Sequence, residues 1–339
     1  MRATGRLSRL LAVAALLPIL AGCVVVVAPP LSWFERDPGL RETVLEGEGD
    51  AKILVIAVDG FISDQPTERA FGLVREQSTL ARVAAELDKA EQDPAIAAVV
   101  LRIDSPGGGV TASDEIYHRL RGFAAERDLP MVASLGGVAA SGGYYVALAA
   151  DDILAHPTTV TGSIGVILVG VNVAGLMDKL GVEDETYTSG PHKDLLSPLR
   201  GATEEERDIV QGVLDDLFAR FVEVVETRRP ALSESQRERI VDGRIFAARP
   251  ARELGLVDGL GRLEDAIDLA RRRAGVSEAR VIMYHREGES AETVYSRFAG
   301  RPESGGGPAA TLSGPTLSLE SLTSPQFLYL WRPGLGGRH

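Results

Sequence analysis

A serine and a lysine are the residues of this chain whose type and setting best suit chemistry. Ser141 stands in Ala139-Ala-Ser-Gly-Gly143, and Lys193 in Gly190-Pro-His-Lys-Asp194. A serine hydroxyl is a weak nucleophile until a base takes its proton. A lysine amine can be that base if burial brings its pKa down toward neutrality. Such a pair would open an acyl bond without a metal or a cofactor. Each residue also has a plainer use. Ser141 precedes the apolar run Tyr144 to Ala150 and can be a helix N-cap, and Lys193 can be a solvated surface residue. Two features favour chemistry for the lysine. Lysine is scarce in this arginine-rich chain, and Gly190 to Pro198 reads as a loop, where functional residues concentrate.

Two more segments belong to the same constellation. Asp104-Ser-Pro-Gly-Gly-Gly109 follows a buried-strand pattern. Its glycines let backbone N–H groups approach a ligand and hold an oxyanion, although a tight turn would look alike. Thr161-Gly-Ser-Ile-Gly165 lies between the serine and the lysine. No Gly-Lys-Ser/Thr follows the first segment, so it is not a phosphate-binding P-loop. No serine has glycine at both −2 and +2, which excludes the Gly-x-Ser-x-Gly elbow. The five histidines form no His-Glu-x-x-His and no Cys/His cluster, so no metal site is expected. His192 or His156 is a competing base for a Ser-His pair.

Strands alternating with helices must position these groups. Lys52 to Val58 and Ala95 to Ile103 read as buried strands, and Met131 to Leu135 as a third. Leu80, Val83, Ala84 and Leu87 mark one intervening helix face, and Ile116, Leu120 and Phe123 another. The pattern predicts an α/β fold with a mostly parallel sheet flanked by helices. The second half is more helical. Thr203 and Glu206 form a capping box opening a long helix through Val225. Ser233 and Gln236 open a shorter one, and Arg262 to Ala274 is a third that stops at Gly275.

The chain has 339 residues, 45% hydrophobic and 25% charged, with a net charge of −12. That is globular composition, and the acidic balance argues against a nucleic-acid partner. Arg2, Arg6 and Arg9 followed by an apolar run to Leu20 read as a secretory signal over residues 1–22. Leu20-Ala-Gly-Cys23 matches the lipobox of bacterial lipoproteins, whose cysteine is acylated, and Cys23 is the only cysteine. The other reading is an uncleaved membrane helix. Both tether the remainder outside the cytoplasm, at the bacterial cell membrane. Residues 23–50 are expected to be a tether, 51–285 the folded domain, and 286–339 a low-complexity, flexible tail. The apolar cluster Phe327-Leu-Tyr-Leu-Trp331 is odd for a free tail; it reads as a docked end filling a hydrophobic groove, with a partner-binding or membrane-contacting segment as the other reading.

Taken together, Asp-Ser-Pro-Gly-Gly, Ala-Ser-Gly-Gly-Tyr-Tyr, Thr161 to Gly165, Lys193-Asp194 with Ser197-Pro198, Asp242-Gly-Arg-Ile-Phe246 and Gly255-Leu-Val-Asp258 resemble the signal peptide peptidase A family, the S49 serine peptidases. The resemblance covers about residues 52–275. One departure is His192, where the family often has tyrosine before the lysine. The resemblance implies a caseinolytic-protease/crotonase-like fold and an endopeptidase that degrades signal-peptide remnants. It implies Ser141 as nucleophile, Lys193 as general base and Ser163 as the residue orienting the lysine amine. Backbone N–H groups of Gly108 and Gly142 would form the oxyanion hole. It also implies a ring-shaped homo-oligomer, in which serine and lysine can come from neighbouring subunits. A preference for small or apolar substrate side chains would suit hydrophobic substrates. The alternatives are a crotonase-type acyl-CoA enzyme and a non-catalytic lipoprotein scaffold.

Overall fold

The structure, a computed structural model, describes residues 39–69, 74–286, 293–295 and 326–331. In chain order the strands are β1 (Arg41–Glu46), β2 (Lys52–Ile62), β3 (Thr67–Arg69), β4 (Val74–Glu76), β5 (Ile96–Gly109), β6 (Met131–Ala140), β7 (Asp152–Ala155), β8 (Val160–Gly162), β9 (Ile167–Val169), β10 (Ile245–Ala247), β11 (Gly259–Leu260), β12 (Arg280–His285) and β13 (Gln326–Leu330). The helices are α1 (Thr79–Glu91), α2 (Val110–Arg127), α3 (Gly142–Ala147), α4 (Ala174–Leu180), α5 (Glu204–Arg228), α6 (Glu234–Ile240), α7 (Ala248–Glu253) and α8 (Leu263–Arg273).

The main sheet runs β1-β12-β2-β5-β6-β7-β11. Along this path all neighbours from β12 to β11 are parallel and edge strand β1 is antiparallel; off it, β8 pairs parallel with β6, while β10 with β8 and β13 with β5 and β9 are antiparallel. Strand alternation explains the two layers. Leu54, Ile56, Val58, Val99 and Leu101 point to one face, where α1, α2 and α3 cover them. Ile53, Val55, Ala57, Ala98 and Val100 point to the other, against Leu263, Ala266, Ile267 and Ala270 of α8. Both faces are covered, which is why β2 and β5 read as unbroken apolar runs.

The α/β expectation holds, and so do the capping signals. Thr203 and Glu206 form a reciprocal capping box at α5, and Ser233 and Gln236 form one at α6. Gly275 follows α8 with φ +68°, as a stop glycine should.

Two boundaries differ from expectation. The tether was expected to run to residue 50, yet Arg41–Glu46 form β1, paired with β12. The physical reason is that Leu45 packs on the α8 face while Val44 stays exposed, so a short alternating segment suffices for an edge strand. The tail was expected to be flexible from residue 286, yet Gln326–Leu330 form β13. Cys23 and residues 304–325 lie outside the described residues.

The core should respond to truncation at its centre. Ile56→Ala, at a fully buried site on β2, is expected to cost about 2–5 kcal/mol. Urea denaturation should show this as a lower midpoint with an unchanged slope.

Candidate active site

The site forms at the carboxyl ends of β5, β6 and β8, where open α/β sheets place their ligands. Strand β6 ends at Ala140, and Ser141 leads directly into α3. Its backbone has φ 53° and ψ −118°, a conformation L-residues rarely adopt. Its N–H donates to Gly162 O (2.8 Å), and its own carbonyl accepts from Tyr145 N–H (2.8 Å). Ser141 stands at the N-cap position, but its side chain makes no capping hydrogen bond. The residue is 1% exposed, and Oγ is buried without any partner. A plain capping serine would use that oxygen. Here it is held ready and unsatisfied.

Ser163 is brought beside Ser141 by sheet register. β6 and β8 are parallel, with Ala140 opposite Gly162, so each serine is the next residue after a matched pair. Ser163 is also strained, at φ 52°, and its N–H donates to Arg244 O just before β10 (2.7 Å).

The glycine segment meets the Ser141 turn backbone to backbone. Gly107 has φ +102°, and a Cβ there would lie 2.7 Å from Gly142 N. A Cβ on Gly108 would lie 2.0 Å from Ile62 O, and one on Gly142 2.5 Å from Ser113 Oγ. No side chain fits at any of the three. Ser105 shapes the turn: its Oγ accepts from Gly107 N–H (3.0 Å) and donates to Gly60 O. Asp104 Oδ1 accepts from Val138 N–H (3.0 Å) and ties β5 to β6. Ser113 donates to Gly109 O (2.9 Å) beneath the glycines. The sequence reading passed over Ser105, Asp104 and Ser113 as functional residues, although the serine and acid flanking Pro-Gly-Gly are the signal of a side-chain-stabilised turn.

Lys193 stands apart. It is exposed, on the loop between α4 and α5, and among the described residues it forms no ion pair or side-chain hydrogen bond. Because Ser141 Oγ has no partner, neither Lys193 nor any histidine of the same chain bonds it. His156 Nδ1 instead pairs with Thr158 Oγ1 (2.8 Å), and His192 Nε2 lies 3.5 Å from Glu205. The lysine loop is nevertheless firmly built. Arg200 clasps Asp194 in a fork (2.6 and 2.8 Å) and also holds both oxygens of Glu206 at the start of α5. Glu206 is itself the capping-box acid of Thr203. The Arg200 guanidinium and the Thr203 N–H bring the Glu206 carboxyl down to about 2, and Arg200 lowers Asp194 as well. Among the described residues no cluster could hold a metal ion.

Against known proteins, residues 124–277 match the model described as peptidase family S49, and residues 71–159 match that of Clp protease. A protein of Enterococcus faecium named as a signal peptide peptidase SppA is 39% identical over 244 residues, covering 72% of this chain and 70% of that one. Protease 4 of Salmonella typhi is 33% identical over 248 residues, 73% of this chain but 39% of its own length. The chloroplastic serine protease SPPA of Arabidopsis thaliana is 36% identical over 183 residues, 53% of this chain and 26% of that one.

The Arg200 clasp makes a pH prediction. With the Glu206 carboxyl at about 2 rather than its ordinary 4.5, its stabilisation is fully present above about pH 4.5 and is lost as pH falls toward 2. Glu206→Gln should therefore be less stable than the parent at pH 6, and the gap should narrow by pH 3, read from urea midpoints at each pH.

Proposed function

The chain belongs to peptidase family S49 and is a serine peptidase of Clp-protease-like fold; on that premise we propose that it is a membrane-tethered, extracytoplasmic endopeptidase with a Ser141–Lys193 dyad completed between subunits. The observation that carries the dyad is the buried, unpartnered Oγ of Ser141 on a strained turn. A buried polar atom without a partner calls for a role or a missing group. Lys193, exposed on its loop and without an ion pair among the described residues, is a base of the right chemistry that one chain leaves unused.

In this mechanism Lys193 of a neighbouring copy, buried on assembly, takes the proton of Ser141 as Oγ attacks the scissile carbonyl. Ser163, adjacent to Ser141, orients the amine. The N–H groups of Gly108 and Gly142 hold the developing oxyanion. The lysine then gives its proton to the leaving amine and activates the water that hydrolyses the acyl-enzyme.

Exposed apolar side chains support assembly. Val171, Leu176, Leu180 and Val182 precede the lysine loop, and Ile209 and Val213 follow it on α5. Leu195, Leu196, Ala202 and Val210 line a hollow of about 280 Å³ beside it. Contiguous exposed apolar surface marks a partner site, and a second copy of this chain is the partner that also supplies the base. A ring of such copies fits a heterologous contact. Residues 1–22 would be the signal, Cys23 the acylated anchor and residues 51–285 the peptidase domain, acting on signal-peptide remnants or other membrane-associated peptides. Among the described residues no helix is long and apolar enough to cross a membrane.

Ser141→Ala and Lys193→Ala should each lower peptide hydrolysis at least about a thousand-fold, and the parent rate should rise with pH as the lysine deprotonates. Co-assembling the two dead variants tests the connectivity. Roughly a quarter of the parental activity should return if serine and lysine come from different subunits; no return means the dyad closes within one chain. Cys23→Ala should move the protein from the membrane fraction to the soluble fraction, as followed by immunoblot.

A further inference from the structure

The lysine loop is closed on a single guanidinium, and every N–H of that group is engaged. Arg200 Nε and Nη2 donate to the two oxygens of Asp194 (2.6 and 2.8 Å). Nη1 donates to Glu206 Oε2 (2.8 Å), and Nη2 donates to Glu206 Oε1. Nη1 also reaches Gly201 O (3.1 Å). An arginine has five such donors in a rigid plane, so the group is saturated. Glu206 is 1% exposed and also accepts from Thr203 N–H (2.8 Å), which locks its carboxylate to the first turn of α5. The two forks therefore join the residue after Lys193 to the start of that helix.

The main chain around the lysine is held from both sides. Before it, His192 Nε2 lies 3.5 Å from Glu205, in the same first turn of α5. The Lys193 N–H donates to Gly190 O (3.2 Å), and the Ser197 N–H to Asp194 O (2.9 Å). Between them Leu196 has φ +69°, a conformation a leucine adopts only when its surroundings impose it. Asn172 Nδ2 donates to Arg200 O (2.5 Å) and ties the clasp to the segment before α4. The lysine side chain is the exposed part of this framework.

Helix α5 carries the framework away from the body. Its far end is docked: Phe221, Val224 and Val225 are buried, and Arg228 donates to Leu148 O (2.8 Å) and Ala150 O (2.9 Å) just past α3. Between Glu206 and Phe221 no residue of α5 is buried. That stretch is roughly 22 Å of helix at about 1.5 Å per residue. Where such an arm points is passed to the loop through the joint at its tip, and the joint is Arg200.

We propose that Arg200 is the positioning residue of the general base: its double fork sets the direction in which the Lys193 amine leaves the loop, and it acts in the subunit that gives the lysine, not in the one that gives the serine. This rests on the Ser141–Lys193 dyad. The fork is the requirement, and the charge is not. A lysine at 200 keeps the charge but cannot hold two carboxylates in a planar fork.

The test places Arg200→Lys on one or the other chain of the co-assembled pair, Ser141→Ala giving the lysine and Lys193→Ala giving the serine. On the lysine-giving chain, kcat should fall at least about tenfold with KM nearly unchanged, because a small misplacement of a reacting group costs that much. On the serine-giving chain there is no lysine to misplace, and kcat should match that of the unsubstituted pair. Equal losses from both placements make Arg200 a support of folding or assembly and overturn the proposal. So do no loss from either, and a loss that tracks dissociation in sedimentation velocity. In the otherwise parental chain, Arg200→Lys should lower the plateau of the pH profile and leave the pH of its rise in place; a shifted rise with an unchanged plateau means the group acts through its field, and also overturns the proposal. If the unsubstituted pair is inactive while each single variant is dead, it is the connectivity between subunits that fails. The otherwise parental chain then decides: a lower kcat at the same KM upholds positioning, and an unchanged kcat refutes it. A fully active Lys193→Ala chain, read before any Arg200 variant, would instead remove the dyad and this proposal with it.

Discussion

The whole site depends on two stretches of main chain meeting with no side chain between them. Gly107 at the end of β5 and Gly142 at the start of α3 approach so closely that a Cβ on either would strike backbone or a buried hydroxyl. Between them stands Ser141 at φ 53°, a backbone conformation costing on the order of 1–3 kcal/mol for a non-glycine residue. It persists because the surroundings over-determine it. The N–H of Ser141 is taken by β8 and its carbonyl by α3, and every residue of α3 is buried. The parallel sheet thus does more than supply a core. It sets the ends of β5, β6 and β8 so that backbone of the glycine turn meets backbone at Ser141, with no side chain between them.

Much of this was legible in the sequence, for physical reasons that differ by element. β2 and β5 are buried on both faces, so they announce themselves as apolar runs, and Thr203 and Ser233 announce helix starts because caps need particular side chains. The glycine segment is legible because only glycine tolerates the approach at Gly107 and Gly108. β1 was missed because an edge strand with one apolar side chain facing in carries almost no periodic signal. β13 was half read: its apolar residues betrayed a docked end, but nothing in five residues says which groove they fill. Arg200 was invisible as a functional residue. Its two carboxylate partners lie six residues to either side, and such a clasp exists only once the loop has folded.

The lysine poses a problem that a single chain cannot solve. A general base of this kind must be neutral near its working pH, and burial is what disfavours the charged amine. Lys193 is exposed, while the hydroxyl it would serve is enclosed. The clasp of Arg200 on Asp194 and Glu206 gives the loop a fixed shape next to the lysine and leaves it exposed. A loop held rigid, carrying a free amine and flanked by exposed apolar side chains, is organised to present that amine outward. On the proposed reading, assembly itself supplies the desolvation that makes the lysine a base, so unassembled chains are kept from hydrolysing peptides.

The docked end of the chain and the lysine are further linked through β9. Among the described residues, β13 is the only strand that pairs with β9. A three-residue strand has little hold on its own, and β13 supplies the extended partner it needs. From β9 the chain runs through α4 to the Lys193 loop, which is tied back where Val173 N–H donates to Pro198 O (2.7 Å). Pairing with β13 therefore orders the near end of the segment that carries Lys193, so the docked end of the chain and that loop belong to one framework.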